Sequence, residues 1–170
     1  MKTKNLIMKI IGIIAGAMSF VAMALPFLAL QNTVKVGDAK TSSTESIGFA
    51  DWKKLLEVES DKIWAWQISN ILLIATLVLV GLILAMALLS FFVKNKNLQK
   101  ANKFVSIITV VVAVLYLIFF VIGCFVQSYS GTIYSATFFP HFGAALLGLG
   151  ALFAGMLLCA AENTKKKGKR

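Results

Sequence analysis

The sequence predicts an all-α integral membrane protein. It reads as a four-transmembrane-helix bundle with one larger extracytoplasmic loop, which holds a short amphipathic helix and at most a minor strand pair. Three observations carry this. The 170 residues are 59% hydrophobic and 14% charged, with a mean hydropathy of +0.85, whereas an ordinary soluble domain has roughly 25% charged residues. Four apolar stretches each approach the ~20 residues needed to cross about 30 Å of hydrocarbon. The charges, finally, are segregated by sign along the chain.

Twelve of the 17 basic residues fall in three clusters: Lys2, Lys4 and Lys9; Lys94, Lys96, Lys100 and Lys103; and Lys165, Lys166, Lys167, Lys169 and Arg170. Glu162 is the one acid near them. The other six acids, Asp38, Glu45, Asp51, Glu57, Glu59 and Asp61, lie between Gln31 and Gln67, where they outnumber the lysines. Lysine and arginine concentrate on the cytoplasmic side of membrane proteins. Both termini and the middle connector are therefore expected in the cytoplasm, with the long loop outside, in a multi-pass protein of the plasma (cytoplasmic) membrane. The net charge of +10 does not indicate nucleic acid, because the basic clusters are short and lack interleaved aromatics.

The chain reads as a single membrane domain, 1–170, with spans at about 10–30, 68–93, 104–126 and 138–161. The first carries Gly12 and Gly16 in a G-x-x-x-G spacing, extended by Ala15 and Ser19, and has Pro26 near its outer end. Its basic start and Ala22-Met-Ala24 are also the pattern of a cleaved signal peptide. The apolar run continues to Leu30, which favours a retained helix. The outer loop, 31–67, has a strand signal at Val34 and Val36, which alternate with polar residues. Farther on, Phe49, Trp52, Leu55, Leu56 and Ile63 recur at roughly helical spacing, the pattern of an amphipathic helix on the bundle top or outer leaflet. This face either caps the helices or, in the sharper reading, makes Phe49, Trp52, Leu55 and Leu56 the candidate partner-binding residues.

The second span is entered past Trp64 and Trp66, and the short cytoplasmic connector 94–103 makes spans two and three an antiparallel hairpin. A brief outer loop, 127–137, precedes the fourth span, and a basic cytoplasmic tail, 162–170, follows it. In the last span Ala144, Gly148, Ala151, Gly155 and Cys159 form a small-residue stripe. Such stripes let helices approach closely in lipid, and the Gly12/Gly16 face is its expected partner.

Residues suited to chemistry are scarce. An ionisable side chain at mid-membrane depth is functional by default, and the four spans hold no Asp or Glu before Glu162. Proton- or cation-coupled transport is thereby disfavoured. His141, the single histidine, follows Pro140 at the outer start of span four. It reads as a polar neighbour, with a pH sensor or ligand contact as the sharper alternative. Gln67, Asn70, Gln127 and His141 all fall near the outer surface and could converge into a polar vestibule or simply bond between helices. Cys124 and Cys159 should lie at opposite depths, too far apart for the ~7 Å Cα separation a disulfide allows. Cys159 could be acylated, but fits equally as a small member of its stripe. There is no phosphate-binding glycine loop, zinc-protease motif or Ser/His/Asp set. No enzyme activity, cofactor or metal is expected.

Four spans with a large first outer loop and a small second one resemble the claudin-type tetraspan arrangement. The motif departs from that family: where the claudin first loop has Gly-Leu-Trp followed by two cysteines, this loop has Gly48-Phe-Ala-Asp-Trp52 and no cysteine. Neither the disulfide nor junction formation carries over. The excess of Lys over Arg and the glycine-rich last span are also similar to small four-helix membrane proteins of low-GC bacteria. The functional expectation is a non-enzymatic membrane protein that acts in assembly or partner binding through its outer loop and small-residue faces, as an accessory subunit, envelope or immunity-type factor. Its partners would be the lipid bilayer and either another membrane protein or further copies of itself. The alternative is a small transport or channel component for an apolar or neutral solute.

Overall fold

The computed structural model describes residues 2–57, 63–93 and 95–163. Lys94, Glu59, Asp61 and the basic tail from Lys165 lie outside the described residues. Four long helices dominate: α1 (Lys2–Val21), α3 (Trp64–Phe92), α4 (Lys96–Gln127) and α5 (Phe142–Asn163). Each is long and apolar enough to cross a membrane. Between α1 and α3 lie β1 (Leu28–Val36), β2 (Ala39–Ile47) and the short α2 (Phe49–Leu55). Between α4 and α5 lie β3 (Tyr129–Ser130) and β4 (Tyr134–Pro140).

The helices close a ring in which α3 packs on α4, α4 on α5, α5 on α1, and α1 back on α3. The inner stripes of α3 and α4 recur every three or four residues, as one helix face requires. On α3 the stripe is Trp66, Ser69, Leu73, Thr76, Val80, Ile83 and Ala87; on α4 it is Asn102, Ser106, Thr109, Ala113, Tyr116 and Phe120. Thr76 and Thr109 satisfy themselves inside this apolar interior by donating to the carbonyls of Leu72 (2.7 Å) and Val105 (2.8 Å) one turn back.

The glycines fix which faces meet, and they correct the expected pairing. A Cβ at Gly155 would meet the Ser106 carbonyl at 2.8 Å, and one at Gly148 would collide with the Leu117 side chain. The Tyr116 hydroxyl donates to the Ala144 carbonyl at 3.3 Å. The stripe Ala144–Gly148–Gly155 thus lies against α4 and not against Gly12 and Gly16. The neighbours of α1 on α5 are instead Gly143, where an added Cβ would crowd the carbonyls of Ala22 and Pro26, and Gly150, where one would meet the Ala15 carbonyl at 2.8 Å. Gly12 receives Leu158 of α5, while Gly16 receives Leu84 of α3.

The fold is not all-α. The four strands form one antiparallel sheet in the order β2-β1-β4-β3, so the α1–α3 and α4–α5 connections both contribute. A hairpin of nine residue pairs joins β1 and β2 in continuous register from Leu28↔Ile47 to Val36↔Ala39. At its tip Gly37 takes φ +60°, a conformation open to glycine and costly for other residues. Strands also shorten two expected spans. The first helix ends at Val21, with a single 3₁₀ turn to Ala24, so residues 25–30 are not helical. The fourth begins at Phe142, so Phe138–Pro140 belong to β4. Proline is the physical reason in both places. It lacks an N–H and pushes the residue before it out of helical conformation; Leu25, before Pro26, is extended at φ −98°, ψ 160°.

Candidate functional site

The sheet end of the molecule is built on an aromatic joint. Phe27 packs on Phe49, Trp52 and Phe120 with ring centroids 5.2, 5.1 and 5.4 Å apart, and Trp52 stands 5.5 Å from Phe120. The strand lead-in, α2 and α4 therefore share one cluster, which Leu28, Ile63, Trp66, Tyr116 and Leu147 extend. A second contact lies beside it. Gly123 of α4 has no side chain where the Trp66 indole sits against it, and Trp66 meets Phe138 of β4 edge-on at 5.2 Å.

This geometry corrects the candidate partner-binding face. Trp52 is fully buried within its own chain, and Phe49, Leu55 and Leu56 are half-buried against the same cluster. The apolar side of α2 is a wedge into the bundle top. Its opposite side bears Asp51 and Lys54, 2.9 Å apart and both exposed. The hydrogen bond to Asp51, and then its charge, raise the Lys54 pKa.

The surface the sheet does present is β2. The Lys35 N–H donates to the Ile133 carbonyl at 2.7 Å, so odd-numbered residues of β1 turn their backbone to β4 and even-numbered ones to β2. Antiparallel pairing alternates strictly. In register, Thr41, Ser43 and Glu45 then bond to β1, while Lys40, Ser42, Thr44 and Ser46 point their N–H and C=O groups to the open edge. Eight of the nine β2 residues are exposed. The side chains of the outward set share a sheet face with Gln31, Thr33, Ser135 and Thr137, a surface rich in hydroxyls on which Thr33 and Ser42 are 3.1 Å apart.

The four candidate vestibule residues are held in separate ways. Gln67 is exposed, and Asn70 and Gln127 are half-buried on α3 and α4. The Asn70 Oδ1 and Gln127 Nε2 atoms are shielded and lack a hydrogen-bond partner among the described residues. His141 belongs to the start of α5: its N–H donates to the Phe27 carbonyl (3.1 Å), and its Nδ1 accepts from the Phe142 N–H (2.8 Å). No hydrogen bond among the described residues joins these four.

At the other end of the bundle the structure brings together residues that sequence reasoning kept apart. Lys9 Nζ lies 2.7 Å from Glu162 Oε1, with side chains 9% and 2% exposed. The same ammonium donates to Ser90 Oγ at 2.7 Å and sits 5.9 Å from the Phe91 ring centre. Asn102, also at this end, is buried, and neither its amide nitrogen nor its oxygen has a hydrogen-bond partner among the described residues. This ion pair ties α1 to α5 and, through Ser90, to α3. The sequence did contain a signal. Lys9 interrupts an apolar run, and Glu162 is the one acid near the basic clusters; in an up-down bundle the start of the first helix and the end of the last share a level.

Cys124 is buried and Cys159 half-buried, and they form no disulfide. No protein-family model matches the chain, and no curated protein sequence does.

Proposed function

We propose that the chain is a non-enzymatic multi-pass membrane protein that holds a β-sheet outside the cytoplasm and recruits a protein partner by strand addition to β2. The observation that carries this reading is the open β2 edge, nine residues long and without proline or bulge, with four residues turning backbone donors and acceptors outward. Such an edge is a template for an incoming strand, with main-chain bonds supplying affinity. The charge pattern supports the orientation. Lys4, Lys9, Lys96, Lys100 and Lys103 gather at the end away from the sheet, where the positive-inside rule places the cytoplasm. The large excursion between α1 and α3 and the small one between α4 and α5 are in keeping with the claudin-like tetraspan arrangement. The bundle axis is filled by Leu73, Val80, Ile83, Ala113, Leu147, Ala151 and Leu158, all buried, which is why partner binding is preferred to solute passage.

A pair of proline substitutions tests the edge. Thr44 turns its N–H outward, so Thr44→Pro leaves the β1–β2 ladder intact and blocks an incoming strand; proline is tolerated on edges in that orientation. Ser43→Pro removes a bond to β1 and should loosen the hairpin itself. Photo-crosslinking from residue 42 in native membranes should capture a partner in the wild type and lose it in Thr44→Pro, with the thermal midpoint unchanged. An unaltered crosslink in Thr44→Pro refutes strand addition. Orientation is read separately: a cysteine at position 43 should react with an impermeant thiol reagent in intact cells.

A further inference from the structure

A groove of about 300 Å³ runs between α4 and α5 in the half of the bundle away from the sheet. It is lined by Ile107, Val110 and Val111 of α4 and by Met156, Cys159 and Ala160 of α5. Ile107, Val111 and Met156 are each about half exposed, so the groove opens on the outer wall of the bundle and not into its core. Its lining is almost wholly apolar. Its volume lies at the lower end of the roughly 300–1,000 Å³ range of small-molecule sites.

What stands next to the groove indicates its occupant. Lys96, Lys100 and Lys103 precede Ile107 and Val110 on α4 at spacings of four, three, four and three, which keeps all five on one helix face. At 1.5 Å per residue Lys103 lies about 6 Å beyond Ile107 along the axis, and Lys100 about 10 Å. Helix α4 has 32 residues and is about 48 Å long, against about 30 Å for a hydrocarbon core. Its lysine-bearing turns therefore extend to headgroup level when the groove lies in the acyl region. Lys103 is half-buried, its stem free to cover apolar surface while its charge stays at the interface. Among the described residues Glu162 is the one acid at this end, and it is bonded to Lys9, so with Lys96, Lys100 and Lys103 the end carries a net positive charge.

We infer that the α4–α5 groove is a binding site for an anionic phospholipid, with one acyl chain between Ile107–Val111 and Met156–Ala160 and the headgroup phosphate on Lys100 and Lys103. The inference rests on the membrane reading above but not on strand addition. Basic residues gathered beside a cleft between transmembrane helices on the cytoplasmic side are a recognised way of holding acidic headgroups.

Native mass spectrometry of the detergent-purified protein, titrated with phosphatidylglycerol or phosphatidylcholine, tests it. The wild type should retain one phosphatidylglycerol in preference to phosphatidylcholine. Lys100→Ala/Lys103→Ala should weaken phosphatidylglycerol binding about 30-fold, at about 1 kcal/mol per lysine. Lys53→Ala/Lys54→Ala removes the same charge at the sheet end and should change nothing. Val111→Trp, a substitution at a lipid-facing position, fills the groove and should abolish retention with all lysines present. Equal retention of both lipids, undiminished binding in Val111→Trp, or an equal loss in Lys53→Ala/Lys54→Ala each overturns the site. Extraction of the protein from membranes by alkaline carbonate would instead refute the membrane reading, so the two failures are distinguishable.

Discussion

Removing Lys9 while leaving Glu162 in place should be among the most damaging single changes to the bundle, although the pair adds little net stability. At 2.7 Å and an effective dielectric constant near 20, the gross attraction is about 6 kcal/mol. Withdrawing each ion from water costs several kcal/mol, so the two terms nearly cancel. Deleting one partner removes the attraction while the other charge stays buried, which for buried pairs costs about 3–5 kcal/mol. Lys9→Met should therefore destabilise the protein by about that much. Glu162→Gln should do likewise, since among the described residues Lys9 would keep only Ser90 and the Phe91 ring. The double variant Lys9→Met/Glu162→Leu removes both charges and should return to within about 1–2 kcal/mol of the wild type, or exceed it. Ser90 loses nothing essential in this change, because its hydroxyl also bonds to the Ala87 carbonyl at 2.6 Å. Reversible unfolding in mixed micelles, followed by tryptophan fluorescence, measures all three, with Trp52 and Trp66 as buried reporters. A Lys9→Met protein within about 1 kcal/mol of wild type would show that Glu162 is not sequestered and would refute the reasoning.

Two further predictions concern packing. Trp52→Ala should cost about 3–5 kcal/mol, the usual loss for a buried tryptophan, and should lower the unfolding midpoint of the whole chain; a local effect on binding alone would contradict its place in the joint. Gly155→Ala should destabilise, because its new Cβ meets the Ser106 carbonyl, a backbone atom, at 2.8 Å, whereas Gly81→Ala finds only the tip of Phe20 at 3.9 Å. The latter should stabilise by up to about 1 kcal/mol through helix propensity, and the same unfolding assay gives both signs.

The helical part of this fold was legible because span length and charge asymmetry depend on composition, which survives the loss of three-dimensional information. The sheet was much less so. Leu28–Leu30 and Phe138–Pro140 are as apolar as the helices they adjoin, and hydropathy does not distinguish a strand buried against a bundle from another turn of helix. Pro26 and Pro140 were the available markers, each sitting where an apolar run changes conformation. The β1–β2 hairpin had a sharper signal in Gly37-Asp38 between two runs of β-branched and polar residues, but alternation at Val34 and Val36 alone suggested only a minor pair. The apolar side of α2 was legible, and of its two readings, a cap on the helices and a partner-binding face, the burial of Trp52 favours the cap. Amphipathic periodicity shows that a helix has one apolar side, not whether that side meets its own bundle or a partner. The Lys9–Glu162 pair was overlooked for a related reason: each residue was already explained, one as a topology signal and the other as a helix end.

The buried position of Trp52 also bears on how a partner could be engaged. A sheet tethered by flexible loops would offer β2 in many orientations, and each docking event would bear the entropy of fixing it. Here the sheet is held at several points. The Gly143 N–H donates to the Pro26 carbonyl at 2.8 Å, the His141 N–H to the Phe27 carbonyl at 3.1 Å, and the Phe27 N–H to the Ile47 carbonyl at 2.8 Å. These bonds flank Phe27, whose ring fills the centre of the aromatic joint. The orientation of β1 relative to α4 and α5 is therefore set by the core, and β2 is set by β1 through nine paired residues. The free edge is consequently fixed in direction relative to the helices. An incoming strand would have to approach at one angle to the bundle, which favours a partner anchored beside this protein over one diffusing freely in solution.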